Sequence, residues 1–530
     1  MKILHRLLTS KTLFILTTLA VFLNACGGGG AVKSGDIFIP KSASIAAVVN
    51  LKQISSKAKQ WRDVFKPEFL EEFDINTDEE GVENVIKLIQ KIIPTLSQDG
   101  NISIFNGKVA EDRSKNHFAI AFTIADVPGF EKALQSDKGI KIMSEGEEKY
   151  TLLDEKAILN WKGNSGLYVS YEFKIENPQQ ALKAKVKEIR GTTAADALAK
   201  NNKKFEALLS ERHDVAIWAD QKETRKLTPS IDMYSKMSPT VAKLAEANQY
   251  GTSFIDFEPG KLVINGKAFL DEKLTGKYKP ILDVNIDKVI KNLPIKDPLF
   301  LMSLSINLQD IKKILDEENA YDKFDGNAIA TLKNVGLTPE DLADMLSGDV
   351  VVALEKIKIN GLSDIDAKVV VGLGLNNRKV FEKALQPYVD KNLLTKEGNV
   401  YEPFIAPWNI DIKLIVTDEA AFIVTNESFK DAIVSSNKTL LNSGLNKLAG
   451  KSNFLVFLSP NEIYNNVPQG TLGEDKLLGA LFPLVESVSL NTLPAKNDLL
   501  EGNIIVSFKD KKKNALEQLL SAYRTPPISN

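Results

Sequence analysis

The chain holds a single cysteine, Cys26, and three histidines. A lone thiol excludes a disulfide framework and any metal site built from several thiolates. With His5 in the N-terminal leader, only His117 and His213 are left for imidazole chemistry. They show no His-x-x-His or His-Glu-x-x-His spacing, and no Gly-x-Ser-x-Gly nucleophile elbow accompanies them. Excess charge of one sign is also missing: 67 basic residues face 69 acidic ones, for a formal net charge of −2. That balance has no electrostatic footprint for nucleic acid. The apolar run Leu13 to Leu23 is too short to span a bilayer as a finished helix. What remains is ordinary globular composition, 43% hydrophobic and 26% charged, so stability must come from packed cores.

The short apolar run has a telling context. Lys2, Arg6 and Lys11 lie before or at its start, Ala25 stands just before Cys26, and Gly27 to Gly30 follow. Positive start, apolar core and small residue make residues 1–25 a secretory signal peptide. Leu23-Asn24-Ala25-Cys26 resembles the lipobox of bacterial lipoproteins. That resemblance implies cleavage between Ala25 and Cys26 and acylation of Cys26, palmitate included. Each buried CH₂ contributes about 0.8 kcal/mol, so one chain anchors marginally and two or three hold firmly. Residues 26–36 then form a glycine-bearing tether, a soft coil. Loss of the leader removes three basic residues and leaves the mature chain at about −5.

Beyond the tether, strand and helix signals mix irregularly. Alternating or short apolar runs predict strands at 46–51, 101–105, 118–124, 157–161 and 167–171, the last two joined by a Gly163-Asn164-Ser165-Gly166 hairpin. Asp126 is placed as a helix N-cap before Phe130 to Leu134, and one helix is expected over 194–209. The second half repeats this plan. Phe130-Glu131-Lys132-Ala133-Leu134-Gln135 recurs letter for letter at Phe381 to Gln386, with Asn377 in the place of Asp126. Further matches follow in the same order at an offset near 250 residues, so the period is that of a tandem pair and not of a solenoid. The expectation is α+β: two duplicated domains of antiparallel sheets with helices on one face, at 37–270 and 297–525. Residues 271–296 would link them and 526–530 would be a tail. Phe130 and Phe381 should then be equivalent core residues.

Candidate chemistry fails on inspection. Val369 to Leu375 carries Gly372 and Gly374 before a helix, but the third glycine of a dinucleotide loop is missing. The matching junction in the first half, Phe122 to Asp126, has no such glycines. Asp74-x-Asn76-x-Asp78 has calcium-loop spacing, yet Glu79 stands where the turn needs glycine and Val85 where the bidentate glutamate belongs. Tyr321 to Leu332 fails in the same way, with Lys323 at a ligand position. Lys509 to Lys513 reads as a solvated turn and helix start. No cofactor and no metal site is therefore expected, and no catalytic residue is assigned.

As a whole the chain resembles the large lipoproteins of unknown function found in Bacteroidetes-type bacteria. The lipobox, the tether and the opening Ile39-Pro40-x-x-Ala43 before Ala46 to Leu51 carry that likeness. It implies no activity. The leading expectation is a binding or scaffold protein held on a membrane through Cys26, with an envelope ligand or protein partner and no nucleic acid. The alternative is an envelope hydrolase assembled from scattered residues, which a deep pocket lined by convergent carboxylates, or by His213 with a serine, would favour. Gly27 after the cysteine does not match the inner-membrane retention signal, which implies the outer membrane. The first acidic residue is Asp36, which favours its periplasmic side over the cell surface. Replacing Cys26 with Ser is expected to release the protein from membranes or to leave the precursor uncleaved. Intact mass spectrometry of exported protein with an unmodified Cys26 would end the lipoprotein reading.

Overall fold

The computed structural model describes residues 33–59, 61, 90–107, 116–136, 140–153, 155–171, 176–227, 248–271, 276, 279–286, 288–318, 333, 336–361, 364–404, 411–435, 441–466, 476–496 and 498–524. They fall into two compact units, mixed α+β with antiparallel sheets. The first unit is Met1–Ala268 with Lys476–Leu481 and Phe508–Asn530; the second is Phe269–Asp475 with Phe482–Ser507. A cut into 37–270 and 297–525 does not anticipate this interleaving of the C-terminal segments.

In the first unit the strands run, neighbour to neighbour, Asn248–Glu258, Val215–Asp220, Ala43–Asn50, Asn101–Gly107, His117–Thr123, Ser165–Tyr171, Ala157–Lys162, Glu148–Leu152, Met143–Glu145, antiparallel throughout. Period-2 alternation sorts their side chains onto two faces. Ala46, Val48, Phe105 and Ala119 turn to one face, against Leu182, Val186 and Ile189 of the helix Pro178–Arg190 and Phe205 and Leu208 of Lys203–Ser210. The intervening residues Ile102, Ile104, Ile120 and Phe122 are buried as well. On their side the helix Val127–Gln135 seats Phe130 edge-on to Trp161, centroids 5.4 Å apart, and 6.1 Å from Phe122. That helix starts where the residues say it should: Asp126 accepts from the Gly129 N–H at 3.0 Å.

The expected helix over 194–209 is interrupted. Leu198–Asn201 and Lys203–Ser210 are separate helices, because Asn202 turns extended and its side chain accepts from the N–H groups of Lys204 and Phe205. An asparagine competes for backbone donors in this way more readily than it continues a helix.

The second unit, taken by itself, orders its strands Val485–Thr492, Phe454–Leu458, Phe300–Ser305, Leu346–Gly361, Asp364–Leu375, Ala420–Val424, Lys413–Val416, Val400–Pro403, Leu394–Glu397, again all antiparallel. Leu301, Val351, Val370, Phe422 and Leu455 form its main core with Val289, Leu293 and Ile295. Gly372 has a packing reason: a Cβ there would lie 2.3 Å from a methyl of Val289. Phe381 follows the Asn377 cap but is only half-buried, against a small cluster around Tyr401 and Val416.

The C-terminal helix Ala515–Arg524 completes the first unit. Ala515, Leu516, Leu520 and Ala522 are buried, and the helix touches Leu51–Lys57 and Asn248–Glu258. Asn514 donates to the Phe257 carbonyl at 2.8 Å, and the Gly260 N–H donates to the Lys513 carbonyl at 2.9 Å. Gly260 has φ +69°, and a Cβ there would sit 2.6 Å from the Lys511 Cα, so glycine is required twice over. The charged run before the helix is exposed, as a solvated turn, with Asp510 accepting from the N–H groups of Lys512 and Lys513.

Phe130 is 0% exposed and Phe381 only half-buried, so the two do not match in burial as expected. Phe130→Ala is expected to cost about 3–5 kcal/mol and Phe381→Ala clearly less. Urea unfolding of both variants measures this, and equal losses would contradict it.

Candidate functional site

A cleft of about 710 Å³ opens in the first unit where three chain segments converge: a ribbon at residues 33–38, the turn 97–101 and the hairpin tip 162–165. The ribbon pairs Lys33–Ser34 with Ile37–Phe38 around Gly35, whose φ of +65° makes the turn. It is fastened to the sheet by polar contacts. The Gly35 N–H donates to the Thr123 hydroxyl at 3.0 Å, and Ser34 and Ser103 share a buried hydroxyl pair at 2.8 Å. Asn101 donates from Nδ2 to the Lys33 carbonyl at 2.7 Å.

Asp36 closes the ribbon. It accepts from the Ser165 hydroxyl and from Arg190 Nη1, the latter at 3.3 Å. The Arg190 side chain is only 9% exposed. It also donates from Nε to Asn160 at 2.6 Å and from Nη2 to the Ser165 carbonyl at 3.0 Å. Burial pulls its pKa below the ordinary guanidinium value, against the pull of Asp36 and Glu148. A guanidinium desolvated in this way is held by its hydrogen bonds, and removing Asp36 would strip it of its carboxylate.

The rim of the cleft is ionic. Lys162 pairs with Glu147 at 2.8 Å and Asp99 with Lys52 at 3.2 Å, all well exposed. Lys33 lies 4.7 Å from the centre of the Phe38 ring and has no carboxylate partner among the described residues. Asn101 is 8% exposed, and its Oδ1 has no hydrogen-bond partner. Ser165 is buried, and its proton is committed to Asp36, with no imidazole in contact. The lining can hold a polar molecule; it does not present an activated nucleophile.

His213 lies elsewhere, in a charged network at one end of the sheet. Its Nδ1 is 2.8 Å from Asp256 and its Nε2 is 2.8 Å from Glu211, so carboxylates occupy both ring nitrogens. The ring stacks on Phe254 at 3.7 Å. Asp256 also accepts from the Asp214 N–H, and Asp214 is gripped by Lys57 at 2.6 Å and by the Phe257 N–H. Burial works against charge on His213, but the bonds to Asp256 and Glu211 outweigh it and raise its pKa above the ordinary 6.5. Burial also works against Asp256, yet His213 and the Asp214 N–H bring its pKa below 3.8. For Asp214 burial prevails and raises the pKa despite Lys57.

His117 starts a strand three places along the sheet and at its opposite end. Strand spacings put it about 14 Å sideways and about 24 Å lengthwise from His213. The two cannot share a ligand, and the serine partner required of His213 by a hydrolase is replaced by carboxylates. Among the described residues no three His, Cys, Asp or Glu side chains gather as a metal site. Ala25, Cys26, the segment around Asp74 to Val85 and Tyr321 to Leu332 lie outside the described residues. Gly372 and Gly374 sit within a paired strand, not in a phosphate loop. The cleft residues Asp36, Asn101 and Ser165, and Arg190 that holds two of them, escaped sequence reasoning. The available signals were two tight turns, Gly35-Asp36 and Gly163-Asn164, with nothing to say that they meet.

Fold and site together define an α+β protein with a polar cleft and no assembled catalytic group among its described residues. The chain belongs to the family described as a domain of unknown function (DUF4836), which it matches over residues 36–402. No curated protein matches the sequence. Among solved structures it is similar to crystal forms III and IV of TP0453, at 11% and 10% identity. Those matches cover 47% and 46% of this chain and 81% of each TP0453 chain, with TM-scores of 0.26. A likeness that slight carries no argument. Among the described residues no helix is long and apolar enough to cross a membrane.

The His213 network sets a pH dependence. A raised histidine pKa gives stability that is full below 6.5 and is lost as pH rises through the folded value. The lowered Asp256 pKa gives stability that is present above 3.8 and is lost as pH falls through the folded value. Wild type should therefore exceed His213→Gln in thermal stability most at about pH 5.5, and the gap should narrow towards about pH 8.5. A gap that widens with pH would contradict the arrangement.

Proposed function

We propose that the chain is a lipid-anchored binding protein of the cell envelope, held at Cys26, with the cleft of the first unit as its binding element. The observation that carries this reading is the cleft itself: polar walls with unfilled hydrogen-bonding groups and no nucleophile–base pair. Lys33 lines the cleft seven residues after Cys26. A chain of that length reaches at most about 25 Å, so the ligand is met close to the anchoring membrane. The lipobox resemblance supports the anchor, Gly27 supports the outer membrane, and the absence of an acidic residue before Asp36 supports its periplasmic side. The hydrolase alternative loses its histidine form, since both nitrogens of His213 face carboxylates; for its carboxylate form the cleft offers Asp36, bonded to Ser165 and Arg190, and Asp99 and Glu147, exposed in ion pairs with Lys52 and Lys162.

The same reading includes duplication. The two strand orders correspond one for one, and Asp126 and Asn377 cap equivalent helices by accepting from the N–H three residues on. Glu131 and Glu382 follow at the same helix position, each bonded to neighbouring cationic and aromatic side chains. The cleft would then be a specialisation of the first copy. Aligning the pairings puts Ala420 where the first copy has Ser165.

Hydrogen exchange of the full mature chain with solubilised envelope material tests the binding element. Added protection is expected at 33–36, 97–101 and 162–165. Unchanged exchange there, with protection elsewhere or nowhere, would overturn the cleft as the site.

A further inference from the structure

The groups left unfilled in the cleft say what kind of molecule would fill them. Ser97 and Thr123 each accept one backbone N–H, from Asp99 and Gly35, and neither hydroxyl proton has an acceptor. Both are unused donors. Asn101 supplies the opposite need, an Oδ1 acceptor without a donor in a side chain more than nine-tenths buried. Asn164, exposed at the hairpin tip, accepts the Ile124 N–H at its backbone carbonyl, and its side-chain amide makes no hydrogen bond among the described residues. An amide offers both a donor and an acceptor. Lys33 adds an ammonium without a carboxylate among the described residues. Asp36, Asp99 and Glu147 add acceptor capacity beyond their ion pairs, since a carboxylate accepts several hydrogen bonds.

Unused donors and unused acceptors are thus interleaved. An anion brings acceptors alone and would face three carboxylates against Lys33 and Lys162. A polyamine brings donors alone and would leave Ser97 and Thr123 unfilled while meeting both lysines. A hydroxyl donates and accepts through one atom, and it carries no charge to be opposed. We propose that the cleft binds a neutral, hydroxyl-rich ligand, a saccharide chain of the envelope. This rests on the cleft being the binding element. Its volume lies within the range of small-ligand pockets, which suits a segment of a few sugar rings.

The test is titration of the full mature chain by calorimetry with three probes: the neutral, fully N-acetylated chitotriose, spermidine and inorganic phosphate. Chitotriose is expected to bind, with an affinity that hardly changes with salt, because no ion pair forms. Asn164→Ala, at an exposed turn position, should weaken it about five- to tenfold, and Asn101→Ala at least as much. Thermal melting checks that each variant folds; Asn164→Ala keeps the test open if Asn101→Ala does not. Binding of spermidine or phosphate in place of chitotriose, falling with salt, would overturn the saccharide class and leave the cleft as a binding site. Failure of all three probes would overturn it too, and hydrogen exchange with envelope material would then separate a wrong ligand class from a wrong site. Chitotriose binding that is unaffected by both variants would place the saccharide outside the cleft and overturn the proposal.

Discussion

A strand buried on both faces and paired on both edges cannot slip. Ala43–Asn50 is such a strand, lying between Val215–Asp220 and Asn101–Gly107. A shift of one residue would exchange Ala46 and Val48 with Ala47 and Val49 and turn each set to the wrong core. Its register fixes what lies at both ends. Upstream, Ile37 and Ile39 enter the same core and carry the ribbon to its place beside Thr123 and Ser165. Downstream, Asn50 caps the helix Leu51–Lys57, which brings Lys57 to the buried Asp214. The cleft and the histidine network are thus placed by one strand: its last residue, Asn50, pairs with Asn101 of the cleft on one edge and donates to the Asp214 and His213 carbonyls on the other.

The local elements were legible because local chemistry specifies them. His117–Thr123 carries an unbroken apolar run and Asn101–Gly107 alternates in its first half, and Gly163 turns the hairpin between Ala157–Lys162 and Ser165–Tyr171 with φ +53°. Asp126 and Asn377 announce their helices because both belong to the small set of residues whose side chains cap well. The long hairpin Leu346–Gly361 and Asp364–Leu375 was legible only in its apolar half, since Lys356, Lys358 and Asp366 break the hydrophobic pattern while the ladder continues with shifts of register. The ribbon was not legible at all. Two-residue strands have no periodicity, and their pairing depends on hydroxyls that the sheet supplies from residues 103, 123 and 165.

The site was hidden for the same reason. Asp36, Asn101, Ser165 and Arg190 are far apart in sequence, and only the order of strands brings them together. Strand order is a non-local outcome of packing, and a single sequence does not state it. A repeated sequence does constrain it, because two segments with the same pattern must solve the same packing problem. The correspondence between the units fits that view, and so do the differences. Strand orders correspond, but Ala43–Asn50 is buried on both faces while Phe300–Ser305 alternates buried and exposed, and Ser165, Asp36 and Arg190 serve a ribbon that belongs to the first unit only among the described residues.

The helix Ala515–Arg524 gives the chain a clock. Synthesis delivers the N-terminus first, and a domain that is contiguous in sequence can close its core as soon as it emerges. The first unit is not contiguous. Leu516 and Leu520 fill its interior, and Gly260 waits for the backbone of Lys511 and Lys513. Every strand of the second unit must be made before those groups arrive. Until then the first unit lacks part of its core, so a chain interrupted anywhere before its last helix carries an unfinished N-terminal half, open to unfolding and to proteases. Completion of the molecule is recorded in the stability of its beginning.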